Sequence, residues 1–235
     1  MSADKPVAVV AGVGPGNGAA LARRFANAGY AIALLARQRS NFASLENELP
    51  GARGFECDVG DEGSVRPTFA RIRNEMGQVE ALLYNAGSGI FADVESITPQ
   101  QFEQAWRVNA YGALLCSQEV IPDMKRKGAG TIIFIGATAS RRGNIQTAAF
   151  APAKAAQRSL AESMARKLWP TGIHVALIIV DGVVELPRTR AAMPDRAPDS
   201  FVDPAGVAEI AFQLSRQDRR AWSFEVEARP FKEPW

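Results

Sequence analysis

Histidine is nearly absent from this chain of 235 residues, and cysteine and tyrosine are scarce: there is one His, two Cys and three Tyr. With His174 alone in an apolar stretch and no carboxylate–histidine spacing, no metal site is expected. Cys57 and Cys116 are far apart and make no C-x-x-C, which argues against a disulfide framework or a zinc knuckle and fits a reducing, cytoplasmic setting. No stretch approaches the roughly 18 consecutive apolar residues of a membrane span. Met1 to Pro6 lead into a short apolar run without a signal-peptide core or cleavage site. Charge of one sign is also lacking: 27 Lys and Arg face 25 Asp and Glu, for a net +2, and no basic cluster exceeds a few residues. Nucleic acid and membrane surfaces are therefore not expected partners, and a small molecule is.

What is present is apolar sequence in short, regularly spaced pieces. Runs rich in Val, Ile, Leu and Ala fall at 7–11, 31–35, 80–84, 131–135, 173–180 and 222–226, with 53–57 a weaker seventh. They are continuous rather than alternating, the pattern of strands buried on both faces of a parallel sheet. Helical patterns occupy 17–28, 40–48, 62–75, 98–126, 147–168 and 204–215, opened by capping signals at Asn17, Thr98-Pro99 and Asp203-Pro204. Repeated β-α units predict a single-domain Rossmann fold over 1–235, a doubly wound seven-stranded parallel sheet with helices on both faces and its ligand crevice at the strands' carboxyl ends. Residues 185–203, with three prolines, are expected to be an irregular, lid-like segment, and 227–235 a C-terminal tail.

The first strand runs into Gly12-Val13-Gly14-Pro15-Gly16-Asn17-Gly18, followed by a strong helix. Glycines there permit a tight turn and let a pyrophosphate approach amide N–H groups at a helix N-terminus. Two registers compete, Gly14-x-Gly16-x-x-Ala19 and Gly12-x-x-x-Gly16-x-Gly18. At the end of the second strand, where a carboxylate would bind an adenosine ribose, the chain reads Ala36-Arg37-Gln38. A small residue followed by Arg suits a 2′-phosphate, so NADP(H) is expected to be preferred over NAD(H).

Four further pieces complete a pattern: Cys57-Asp58-Val59, Tyr84-Asn85-Ala86-Gly87, Val108-Asn109-Ala110 and Phe150-x-x-x-Lys154. Together with the glycine turn they resemble the short-chain dehydrogenase/reductase family over roughly residues 6–226. The resemblance implies that Asp58 and Val59 contact adenine, that Asn85, Ala86 and Gly87 line the cofactor cleft, and that Asn109 holds a water linking the active-site lysine to solvent. It also implies that Lys154 binds the nicotinamide ribose, that Gly182 approaches the nicotinamide, and that the protein is a homodimer or homotetramer built on residues 98–126, 147–168 and the C-terminal region.

Two of the family's three reacting residues are missing. Phe150 stands where a proton-exchanging Tyr belongs, and counting back 13 residues to the usual Ser reaches Ala137. Thr138 or Ser140 serves only if the register slips, and Tyr84 and Tyr111 are the remaining phenols near the crevice. Asp181 stands where the family commonly has Pro. The resemblance thus implies hydride transfer to or from a small carbonyl or alcohol at an atypical site, Lys154, Asn109, Phe150 and Thr138, or else a cofactor-binding pseudoenzyme that senses redox state or stabilises a partner.

The Arg37 reading predicts that NADPH binds one to two decades more tightly than NADH, since a charge-assisted pair is worth about 1.5–3 kcal/mol. Fluorescence titration of both cofactors against the wild type and Arg37→Ala checks this. Equal affinities in the wild type refute it.

Overall fold

The computed structural model describes residues 5–233. Seven parallel strands lie in the order β3-β2-β1-β4-β5-β6-β7: β1 Val7–Ala11, β2 Ala31–Ala36, β3 Arg53–Glu56, β4 Val79–Tyr84, β5 Gly130–Ile135, β6 Ile173–Val180 and β7 Glu225–Ala228. The chain order reverses beside β1, which puts a crevice between the carboxyl ends of β1 and β4. Successive β1 residues serve opposite layers. Val7, Val9 and Ala11 face α3 (Glu62–Met76), α5 (Gly112–Lys127) and α6 (Phe150–Leu168), while Ala8 and Val10 face α1 (Asn17–Asn27), α2 (Ala43–Glu48) and α8 (Pro204–Ser215). Both faces of the sheet are buried, hence the continuous apolar runs.

The expected helix over 98–126 is one helical run with a defect. It opens as α4, Pro99–Trp106, where Thr98 and Gln101 form a capping box, passes through a π turn at Arg107–Tyr111, and continues as α5. In the π turn the Gly112 N–H reaches back to the Arg107 carbonyl, five residues away. Gly112 also allows this helix to touch the sheet. A Cβ there would lie 2.5 Å from the Tyr84 hydroxyl and 2.6 Å from the Val59 carbonyl oxygen.

Several expectations are corrected. Asn17 does not cap α1: Gly16 does, at φ +89°, because only glycine takes that conformation without strain, and Asn17 is the first helical residue. The last strand begins three residues late. Trp222 packs against Trp169 and His174, and Ser223 is tied to Gln217 and His174, so these two leave the ladder before Glu225 joins it. The 40–48 pattern starts with a separate turn at Arg39–Asn41, and before α6 Thr147 forms a bridge with Ala92 and 148–149 are a turn rather than helix. Within 185–203, Pro187 opens a short helix, α7, Pro187–Ala192, Pro198 opens a 3-10 turn and a bridge joins Val184 to Val202, while the remaining residues are irregular. The tail is in part β7 itself, and Pro234, Trp235 and Met1 to Asp4 lie outside the described residues.

His174 packs internally, with Nδ1 3.0 Å from the Leu214 carbonyl and Nε2 2.9 Å from that of Ser223. Burial lowers its pKa. Among the described residues no helix is long and apolar enough to cross a membrane, and no cluster of metal-ligating side chains exists. The close approach at Gly112 predicts that Gly112→Ala loses roughly 1–3 kcal/mol, the cost of overpacking a filled contact. Urea denaturation measures this, and a midpoint unchanged from the wild type refutes it.

Candidate active site

An open cleft of 340 Å³ follows the carboxyl ends of β1 to β4. Gly12, Gly14, Arg37, Asp58, Val59, Asn85, Ala86 and Gly87 all line it, so the structure brings together eight of the residues singled out for the cofactor. Gly16, Asn17 and Gly18 do not line it; Gly16 ends the turn, and Asn17 and Gly18 begin α1. Gly12 has φ +92°, and a Cβ there would lie 2.4 Å from the Ala86 main chain, so β1 and β4 approach as only glycine permits. The Asn85 amide donates to the Gly12 carbonyl at 2.8 Å and locks the two turns together.

These residues fit a dinucleotide. The N-terminus of α1 carries no side-chain cap, Asn17 Oδ1 is buried without a partner among the described residues, and Arg37 is exposed without an ion pair among them. Asp58 accepts from the Gly60 N–H at 2.9 Å, so it forms the turn as well as lining the cleft. Arg188, from α7, joins Arg37 on the lining. Sequence reasoning missed it, because an arginine inside a proline-rich segment carries no spacing signal.

A second cavity, of 650 Å³, opens over the ends of β5 and β6. Phe150, Ala137, Thr138, Asp181 and Gly182 line it, with Phe91 tilted against the Phe150 ring at 5.4 Å. The Thr138 hydroxyl donates to Asp181, whose other oxygen pairs with Arg229 at 2.7 Å. Asp181 is therefore held from both sides rather than being a bare turn residue, and its partner comes from the residue following β7. The tyrosines are elsewhere. Tyr84 is fully buried and donates to the Val108 carbonyl, burial holding its phenol well above the usual range. Tyr111 stacks on Trp106 at 5.5 Å, and Tyr30 packs against Phe25.

Lys154 and Asn109 line neither cavity but lie behind the cleft at Gly87. Lys154 is 4% exposed, and its Nζ donates to the Ile135 carbonyl at 2.8 Å and to Gln157 Oε1 at 3.1 Å. Burial lowers its pKa to about 7. Asn109, in the π turn, donates to Ala105 and Ser88 carbonyls at 2.8 and 3.2 Å, and its main-chain carbonyl accepts from Gln157 Nε2 at 2.8 Å. A Cβ on Gly87 would lie 3.3 Å from Asn109 Oδ1 and 3.9 Å from Lys154 Nζ, so both groups flank the cleft floor. Gln157 was missed, although its spacing of three from Lys154 on a helix was a usable signal.

A parallel sheet with its glycine turn, cleft and buried lysine at the strand ends defines a nucleotide-binding α/β enzyme class. The short chain dehydrogenase family matches residues 6–196, and the chain belongs to that family. It is 31% identical over 183 residues to the 3-oxoacyl-(acyl-carrier-protein) reductase MabA of Mycobacterium tuberculosis, covering 78% of this chain and 71% of that protein. To the D-xylose 1-dehydrogenase of Caulobacter vibrioides it is 29% identical, over 74% of this chain and 71% of that one. A short-chain dehydrogenase structure from Rhodopseudomonas palustris superposes with TM-score 0.82 at 31% identity, covering 97% of this chain and all of the other.

The glycine turn yields a binding prediction. In Gly16→Val the side chain meets Leu186 Cδ2, 2.2 Å from the Cβ position, and a β-branched residue is strained at φ +89°. NADPH binding is expected to vanish by calorimetry while far-UV circular dichroism stays native. Normal affinity in the folded variant refutes the loop as the phosphate cradle.

Proposed function

We propose that this protein is a cytoplasmic NADP(H)-dependent oxidoreductase that moves a hydride to or from a small carbonyl or alcohol in the cavity over Phe150. The observation that carries the reading is the buried Lys154 beside Gly87, where the nucleotide cleft meets the cavity side of β5. Arg37 and Arg188 on the cleft lining support selection of a 2′-phosphate by paired charge-assisted bonds. The bound nicotinamide supplies the hydride donor or acceptor. Lys154, with two N–H groups given to Ile135 and Gln157, keeps the third for ribose hydroxyls, and Gly12, Gly14 and the start of α1 hold the pyrophosphate.

The cavity offers little acid. The Thr138 hydroxyl is committed to Asp181 and the Thr147 hydroxyl to the Asn144 carbonyl, while Phe150 and Ala137 have no proton to give. The oxygen of a reduced carbonyl therefore takes its proton from water entering the open mouth, which forfeits most of the roughly 10²- to 10⁴-fold help of a positioned acid. The same missing hydroxyls favour one rival, a cofactor-binding protein without turnover that senses redox state or stabilises a partner. Phe102 and Trp106, 44% and 43% exposed on α4, support a homodimer or homotetramer built through this surface.

Phe150→Tyr restores only the hydroxyl, so NADPH affinity should barely change. Its rate gain on model ketones and aldehydes is expected to fall below the full 10²- to 10⁴-fold. Phe150→Tyr with Ala137→Ser should exceed the sum of the single changes in log rate, because donor and positioning hydroxyl act as a unit. Turnover of the four proteins tests this. If the double variant is no faster than wild type while binding NADPH normally, the non-catalytic reading replaces the enzymatic one.

A further inference from the structure

Lys154 poses an electrostatic problem that the fold must solve. It is buried, and no carboxylate pairs with it among the described residues. A buried ammonium without a counter-ion has to be held by dipoles. Two are present: the Ile135 carbonyl at 2.8 Å, fixed by the sheet, and the Gln157 Oε1 at 3.1 Å, on a side chain with rotatable bonds. The second dipole is useful only if Gln157 is itself fixed. Its Nε2 donates to the Asn109 carbonyl at 2.8 Å, and Gln157 is 0% exposed, so water competes at neither end. The partners also determine which end faces which. As an ammonium Nζ only donates, and a main-chain carbonyl only accepts, so the carboxamide oxygen faces the lysine and its nitrogen the π turn.

We propose that Gln157 is the positioning residue for Lys154: a carboxamide strut that clamps the ammonium against the end of β5 and fastens it to the π turn carrying Asn109. Its bearing on ribose binding rests on the NADP(H) reading above, while the clamp itself does not. With two of three N–H groups committed, the remaining one is left for the cleft floor at Gly87. A carboxamide that donates from nitrogen and accepts at oxygen does not hand a proton across, so the strut makes Lys154 a fixed donor that exchanges protons through the cleft. Burial drives the pKa of this lysine down, and it forms no ion pair among the described residues. A dipole that accepts from the ammonium favours the charged form, and the Gln157 oxygen, 3.1 Å from Nζ, is placed to do so.

The test titrates Lys154 directly. The 13Cε signal of labelled lysine, assigned with Lys154→Met, is followed against pH in the ligand-free full chain for wild type, Gln157→Met and Gln157→Glu. The wild-type midpoint is expected at about 7. Gln157→Met keeps the length and loses the acceptor, so the midpoint falls by roughly one pH unit, and Gln157→Glu adds an opposite charge and raises it by at least as much. NADPH affinity, read by cofactor fluorescence between pH 6 and 9, should weaken several-fold in Gln157→Met near neutrality and follow the shifted midpoint. A midpoint in Gln157→Met equal to that of wild type, even with a lowered melting temperature, makes Gln157 a packing residue and overturns the proposal. Should the lysine shift as expected while no protein binds NADPH, the strut stands and the cofactor reading falls.

Discussion

The whole arrangement depends on a sheet that is covered on both faces. Once helices pack against each side, the inner strands present almost no side chain to solvent along their length, and chemistry is confined to the loops where strands end. Because all seven strands run parallel, those ends lie at one edge. The glycine turn after β1, Arg37 after β2, Asp58 after β3, Asn85 to Gly87 after β4, Thr138 after β5 and Asp181 after β6 are neighbours for that one reason. Six segments scattered over some 170 residues of sequence become a single working edge without a dedicated scaffold.

Much of this edge was legible beforehand, because its causes are local. A continuous Val, Ile and Leu run reports two-sided burial, and a glycine turn between strand and helix reports a positive φ and a close approach. Both signals are intrinsic to a few residues. What escaped was set by distant partners. The late start of β7 follows from Trp222 stacking on His174, the order in 185–203 from a bridge between Val184 and Val202, and the state of Asp181 from Arg229, 48 residues on. Gln157 lies between these cases. Its spacing from Lys154 is local, but its meaning appears only when the Asn109 carbonyl is brought opposite.

The cavity at the ends of β5 and β6 combines an aromatic pair with a polar cluster. The ring of Phe150 is tilted against Phe91, Lys154 is buried behind the cleft, and Ala137, Thr138 and Asp181 share the cavity lining with Phe150. Within that lining Thr138 donates to Asp181, and Arg229 pairs with Asp181 from outside it. The cleft behind the glycine turn and the cavity over Phe150 are separate spaces, with Lys154 buried beside the first.

The π turn at Arg107–Tyr111 has a consequence for the chain's tolerance of change in length. A helix that closes one bond over five residues instead of four contains a surplus residue, accommodated as a bulge toward α6. Everything from Gly112 onward is consequently rotated by about 100° relative to an unbroken α-helix, and it is this rotated phase that sets Gly112 on Tyr84. A natural deletion of one residue in the turn would restore regular helix, and in doing so would put the helix out of phase with the sheet on one side of the join. The surplus residue is therefore protected at both ends, by the fit of a glycine to the sheet and by the placement of a carbonyl beside the lysine. Lineages of this chain should exchange residues in the turn far more readily than they lose one.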